Sequence, residues 1–164
     1  MAPVNRSDSF TAALHAINEE DIMRKLPPNM RSAPFVEGLG IKFPKVESGY
    51  CLVKAKVTEN MLNNYGTVHG GALFTIADAC SGAAAFFALG EDELCRTIEL
   101  KINYFKPVLS GELICEAKLA NKSSNLAAIE AEITNNGQLI AKTLGTYFIQ
   151  QIDPKRDVNK KEKP

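Results

Sequence analysis

No two cysteines in this chain are spaced as C-x-x-C, and only two histidines are present, so neither a zinc site nor a redox dithiol has support. Net charge is missing as well. Nineteen basic residues balance nineteen acidic ones, which removes the bulk attraction that a nucleic-acid binder relies on. No Gly-rich loop ends in Lys-Ser or Lys-Thr, which argues against nucleotide hydrolysis. No G-x-S-x-G elbow occurs, although His69-Gly70-Gly71 is similar to the oxyanion loop of serine esterases. Met1 to Asp8 has no apolar run of the kind a secretory signal needs, and Glu19, Glu20 and Asp21 weaken a transit-peptide assignment. A cytoplasmic location is expected, with a mitochondrial one left open. The longest apolar run, Ala72 to Leu89, is short for a membrane span, carries Asp78, Thr75, Ser81 and Gly82, and lacks flanking Lys or Arg. No membrane span is expected.

What is present is ordinary for a soluble globular domain: 164 residues, 45% hydrophobic and 23% charged. Cys51, Cys80, Cys95 and Cys115 are far apart, and most sit in apolar patterns, as reduced core thiols do. Residues 1–33 form an expected helical extension: Ser7-Asp8-Ser9 starts a helix, Phe10, Ala13, Leu14 and Ile17 follow at helical spacing, and Pro27-Pro28 ends the segment. His15 reads there as a surface residue. Residues 34–151 are the main domain, and the charged stretch 152–164 is an expected disordered tail.

Within the main domain Phe35 to Val46, broken by Gly38, Gly40 and Pro44, reads as irregular or a short strand. Cys51, Val53, Ala55 and Val57 alternate with polar residues as in a half-buried strand. Ala72 to Leu89 is apolar on nearly every face, predicting a buried helix capped near Gly90. Ile98, Leu100, Ile102 and Tyr104 alternate with Thr97, Glu99, Lys101 and Asn103. Leu113–Leu119, Leu126–Thr134 and Leu139–Ile149 read as further strands, the last two joined by an Asn136-Gly137 turn. The order predicts an α+β fold, a curved antiparallel sheet wrapped round one long central helix, with the last four strands as a meander.

Asp78 stands out because a carboxylate in an apolar helix is costly to desolvate unless it is paired or used. Gly70-Gly71 opens the same helix, where unpaired N–H groups and the helix dipole favour negative charge. Gly70 N–H could hold the oxyanion of a thioester or ester, and Asp78 could activate water or attack the carbonyl itself. The two lie about 12 Å apart along one helix, whereas attack requires contact at about 3–3.5 Å. Two antiparallel helices across a two-fold axis meet that condition, which predicts at least a dimer.

The pattern Asn63-x-x-Gly66-x-x-His69-Gly70-Gly71, with Asp78 nine residues after the histidine, resembles the signature of PaaI-type hotdog-fold acyl-CoA thioesterases, over roughly Gly49 to Gln150. The resemblance implies hydrolysis of acyl-CoA to a free acid and coenzyme A by a homodimer or homotetramer. No cofactor is implied beyond coenzyme A as part of substrate and product. In the implied roles Gly70 polarises the carbonyl, and Asp78 of the facing subunit is base or nucleophile. Asn63 orients water or thioester, His69 supports the loop, and Thr97 replaces a serine that assists the water in eukaryotic relatives. Met61, Leu62, Phe74 and Phe86 are expected to line the acyl tunnel, and Gly71, Lys106 and Pro107 to contact the substrate. Relatives often carry a glycine followed by a basic residue near the coenzyme A phosphates, where this chain has Lys122-Ser123-Ser124. Ser124 departs from that pattern, and Lys122 or Lys106 would substitute. A non-catalytic acyl-CoA or acyl-carrier binding module, and a hotdog dehydratase, are the alternatives.

Overall fold

A computed structural model describes residues 33–152. The expected extension over 1–33 and tail over 152–164 therefore lie, but for Ala33 and Ile152, outside the described residues. A four-residue helix, α1 (Pro34–Glu37), leads into the edge strand β1 (Lys42–Glu47), which turns back as β2 (Tyr50–Lys56). A single 3-10 turn, Glu59–Met61, and a loop precede the central helix α2 (Gly70–Phe86). Strands β3 (Glu93–Tyr104), β4 (Glu112–Lys122), β5 (Leu126–Asn135) and β6 (Gln138–Gln151) follow.

All six strands form one antiparallel sheet in the order β1-β2-β4-β5-β6-β3. The hairpin between β5 and β6 turns on Asn136 (φ 50°) and Gly137 (φ 73°), both left-handed as a tight primed turn requires. One face of the sheet closes on α2, which packs against every strand. Alternation decides which side chains go there. Cys51, Val53 and Ala55 from β2, Leu113, Cys115 and Ala117 from β4, and Ile129 and Ile133 from β5 are all buried beneath the helix. The helix answers with Ala72, Leu73, Ile76, Ala77, Cys80, Ala84 and Ala85. The alanines keep its axis close to the sheet. Each fully buried Ile or Leu contributes about 1.5–3 kcal/mol of transfer free energy. The Cys80 thiol donates to the carbonyls of Cys51 and Cys115 at 3.3 and 3.4 Å, and all four cysteines are free thiols.

Four expectations need correcting. The segment read as irregular or a short strand holds the strand β1 and also a helical turn, Pro34–Glu37, that was not expected. Pro44 is tolerated in that strand because β1 is an edge and its register shifts between Lys42 and Lys45, so no ladder donor is missed. The helix stops at Phe86, with Phe87 in a right-handed C-cap, and Gly90 lies beyond it. The last four strands are not a simple meander: β4, β5 and β6 are, but β3 pairs with β6 at the far edge. Seven residues, 105–111, carry the chain from β3 past β6 and β5 to β4, a gap of about 14 Å at ~4.8 Å per strand. That crossing takes the link under the start of α2, where Val68 N–H donates to Val108 O at 2.8 Å. Finally, α2 is buried on one side only. Phe74 is 38% exposed, and Thr75, Asp78, Ala79, Gly82 and Phe86 are half-buried.

Candidate active site

The loop before α2 is built by Asn63. Its Oδ1 accepts from the Tyr65 and Thr67 amides at 2.9 and 3.2 Å, and its Nδ2 donates to Thr67 Oγ1 at 3.0 Å. Such a side-chain-to-backbone turn fixes the path of the chain without regular structure. Leu62 and Val68 bridge across its neck, and His69 N–H donates to Met61 O at 2.7 Å. His69 is the N-cap: its Nδ1 accepts from Gly71 N–H at 2.9 Å. A Cβ on Gly71 would lie 3.0 Å from that nitrogen, which explains the second glycine.

Gly70 N–H, the first of the helix, has no hydrogen-bond partner among the described residues. Its carbonyl accepts from Tyr104 Oη at 3.0 Å, and a Cβ on Gly70 would stand 3.2 Å from the Tyr104 ring. Tyr104 thus braces the helix start from β3. Burial pushes its phenol above the ordinary value. Around this end Val68, Gly70, Leu73 and Tyr104–Val108 line an open groove of about 410 Å³. Gly70, expected to be catalytic, and the expected substrate residues Lys106 and Pro107 meet there, with Lys106 Nζ 3.3 Å from Gln138 Oε1.

Two turns along, on the same stripe as Gly70 and Phe74, Asp78 is half-buried instead of sunk in the core. Its Oδ1 accepts two hydrogen bonds, from Thr97 Oγ1 at 2.9 Å and Tyr147 Oη at 3.2 Å. No hydrogen bond falls on Oδ2 from the described residues. Thr97 and Tyr147 are cross-strand partners between β3 and β6. Strict alternation would have put Thr97 on the face opposite Leu100 and Ile102. A bulge between Thr97 and Glu99 adds Ile98 as an extra residue, which restores Thr97 to the helix side and leaves Ile98 60% exposed on the outside. Neighbouring groups feel the carboxylate. Burial, and then the Asp78 charge, raise the Tyr147 phenol, and the same two causes push the Cys95 thiol up to about 11.

The other expected substrate residues are elsewhere. Met61 is in the core, Leu62 is half-buried, and Phe74 stands on the open stripe. Lys122 pairs with Glu93 at 2.9 Å, Ser123 Oγ closes the β4–β5 turn on Leu126, and Ser124 Oγ donates to Asn125 Oδ1. This hairpin meets β6 at Phe148, whereas Lys106 meets Gln138. Ten residues of strand separate those points, about 33 Å. One chain therefore holds its Gly70 groove and its Lys122–Ser124 turn at opposite ends. Tyr147 and Tyr104 went unmarked in the sequence. The signal available for Tyr147 was Gly145, two residues earlier on the same face, leaving room for a ring. Among the described residues no cluster of His, Cys, Asp or Glu could hold a metal, and no helix is long and apolar enough to cross a membrane.

Residues 65–142 match the thioesterase superfamily. A candidate esterase of Saccharolobus solfataricus is 32% identical over 112 residues, 68% of this chain and 74% of that one. The acyl-coenzyme A thioesterase PaaI of Escherichia coli is 26% identical over 125 residues, 76% of this chain and 79% of that one. Among solved structures, the phenylacetic acid degradation protein PaaI of Thermus thermophilus aligns with a TM-score of 0.66 at 29% identity, covering 71% of this chain and 98% of that one. The matched span runs from the loop before α2 through the helix and into the last strand, so it includes His69, Gly70 and Asp78, and the chain belongs to the thioesterase superfamily, as a thioester hydrolase of the PaaI-like hotdog type.

Proposed function

We propose that this protein hydrolyses acyl-CoA thioesters at sites shared between two subunits. In each site Gly70 N–H of one chain holds the carbonyl oxygen, and Asp78 of the other works on the carbonyl carbon. The observation that carries this is the geometry of one open helix stripe: an unpartnered N–H at Gly70 and an uncommitted Oδ2 at Asp78, about 12 Å apart on the same helix. Neither can serve the other within its own chain. A second helix laid antiparallel on the stripe would oppose Gly70 to Asp78 twice over. It would also bring the Lys106 end of one chain toward the Lys122–Ser124 end of its partner, so both ends could border one coenzyme A.

The chemistry runs in two stages. Water, deprotonated by Asp78 Oδ2, adds to the carbonyl carbon, and the oxygen that becomes negative is held by Gly70 N–H at the positive end of α2. The tetrahedral intermediate then expels the coenzyme A thiolate, which takes the proton back and leaves the acid. Direct attack by Asp78 would instead form a mixed anhydride that water opens. His69 serves by capping the helix, Asn63 by setting the loop that aims Gly70, and Thr97 by holding Asp78. Phe74, Leu62 and Gly71 would border the acyl chain. The E. coli relative, named as an acyl-coenzyme A thioesterase, supports coenzyme A as the leaving group.

The test is thiol release from acyl-CoAs ranging from acetyl to palmitoyl and phenylacetyl, by wild type and by Asp78→Asn. That substitution keeps the shape and removes the base, and is expected to cost about 10²–10⁴-fold in kcat. Wild-type rates in Asp78→Asn would overturn the mechanism. Tight acyl-CoA binding without any turnover would reassign the chain as a binding module, and hydration of enoyl-CoA as a dehydratase.

A further inference from the structure

Among the described residues Tyr147 is the largest side chain wholly enclosed, 1% exposed, and its hydroxyl reaches Asp78 on the open stripe. The fold makes unusual room for it. A Cβ on Gly145 would lie 3.0 Å from the Tyr147 ring and 2.8 Å from Leu100 Cδ1, so the strand could not carry any other residue there without moving the ring. From above, Gly82 of α2 faces the ring, with a built Cβ at 3.9 Å. Gly145 on the sheet thus opens the slot that delivers a phenol to Asp78, with Gly82 of the helix in ordinary contact across the ring. Ser81, fully buried beside Gly82, has no hydrogen-bond partner for its Oγ among the described residues. Burial and the neighbouring carboxylate both raise the phenol, so it remains a donor throughout the working range of pH.

Consequences follow for Asp78. Tyr147 and Thr97 both donate to Oδ1 and none of the described groups donates to Oδ2. The carboxylate is held by one oxygen with the other turned loose. Anchored in this way, the carboxylate keeps one oxygen against the strands and presents the other to the open stripe.

We propose that Tyr147 is a positioning residue for hydrolysis, which fixes Asp78 through Oδ1 and reserves Oδ2 for the water. This rests on the thioesterase mechanism above and adds to it a residue on a strand remote from the Asn63–Gly71 loop.

The test is a double-mutant cycle of Tyr147→Phe and Asp78→Asn, read as kcat and KM on one acyl-CoA. Phe keeps the ring in its slot and removes only the hydroxyl. The expected result is a fall in kcat of about tenfold or more with KM changed less than about twofold, since hydrogen bonds to a charged acceptor are the strong ones. In the Asp78→Asn background the same change should alter residual turnover by less than about twofold, because there is no carboxylate left to position. A merely structural tyrosine would cost the same factor in both backgrounds, and that outcome overturns the proposal, as does an unchanged kcat for Tyr147→Phe. Should Tyr147→Phe fail to fold, Ser81→Ala/Tyr147→Phe removes the stranded Ser81 hydroxyl as well and is read in the same cycle. A wild-type protein inactive on every thioester would sink the mechanism itself and the proposal with it. An active wild type, a dead Asp78→Asn and an unaffected Tyr147→Phe would sink the proposal alone.

Discussion

The two sides of α2 are both largely apolar and meet opposite fates. Leu73, Ile76, Ala77, Cys80 and Ala84 are enclosed by the sheet, whereas Phe74, Thr75, Asp78, Ala79 and Phe86 lie open or half-open. A single helix apolar all round satisfies only one side with its own sheet. The leftover side is where the uncommitted Gly70 N–H and the acid stand. The enclosed side answers to packing and, on the mechanism proposed, the open side to chemistry, so substitutions on the two should separate cleanly.

The largest separation is expected from Gly70→Pro. Proline suits the first position of a helix, where its missing N–H breaks no helical bond, and the half-exposed Tyr104 ring can shift from the 3.2 Å contact. The fold should persist while the oxyanion donor is lost, at a cost of about 10²–10³-fold in kcat. Mixing Gly70→Pro chains with Asp78→Asn chains sharpens the point. In a shared-site dimer one of the two sites in each mixed pair carries both defects and the other none, so activity returns in part. With mixing confirmed by a tag exchange, no recovery would place Gly70 and Asp78 in one chain's site.

A smaller contrast compares neighbours two residues apart. Ile76→Ala, on the enclosed side, should cost about 2–5 kcal/mol of stability measured by denaturant unfolding. Phe74→Asp, on the open side, should leave the unfolding of the isolated chain within about 1 kcal/mol but weaken self-association in sedimentation, and activity with it. If Phe74→Asp sediments like wild type and Ile76→Ala does not lose stability, the two faces are not different in kind.

Much of this was legible beforehand, and the failures have identifiable causes. Strands β2, β4 and β5 were readable because one face is buried and the other wet, and period-two alternation records that. Asn136-Gly137 was readable because few other pairs tolerate two left-handed residues. The edge strand β1 was obscured by Pro44, which an edge accepts and a central strand does not. The face of Thr97 was misjudged because a bulge at Ile98 shifts the phase, and nothing in the residues around Ile98 announces it. Asp78 was placed too deep. A sequence shows that a helix is apolar all round but not that its own chain covers only one side. The turn that Asn63, His69, Gly70 and Gly71 build was legible through its resemblance to a family pattern, while Tyr147 drew no notice, since a strand tyrosine pointing inward reads as core whether or not its hydroxyl has a task.

The smallest effect belongs to the far end of the molecule, where α2 finishes. Glu93 accepts from Gly90 N–H and Lys122 Nζ, at 2.8 and 2.9 Å, and from Gln151 Nε2 at 3.0 Å, tying the turn after the helix to β4 and β6. The Gly90 hydrogen bond first, and Lys122 next, hold its carboxyl below the ordinary glutamate value of 4.5. A group whose folded value is lowered gives its stabilisation in full above the unfolded value and loses it as pH falls through the folded one. Stability should therefore be flat in this contribution above about pH 5 and decline below about pH 4.5. Glu93→Gln, which keeps the Gly90 and Gln151 contacts within reach but loses the charge, should flatten that part of the acid limb and leave kcat alone. Surface pairs of this kind are worth little, so the shift in acid midpoint should be the least of the effects described. Equal acid limbs in wild type and Glu93→Gln would mean that the tie at this end is geometric only, and that the charge on Lys122 is available to a coenzyme A phosphate without first breaking a pair that matters.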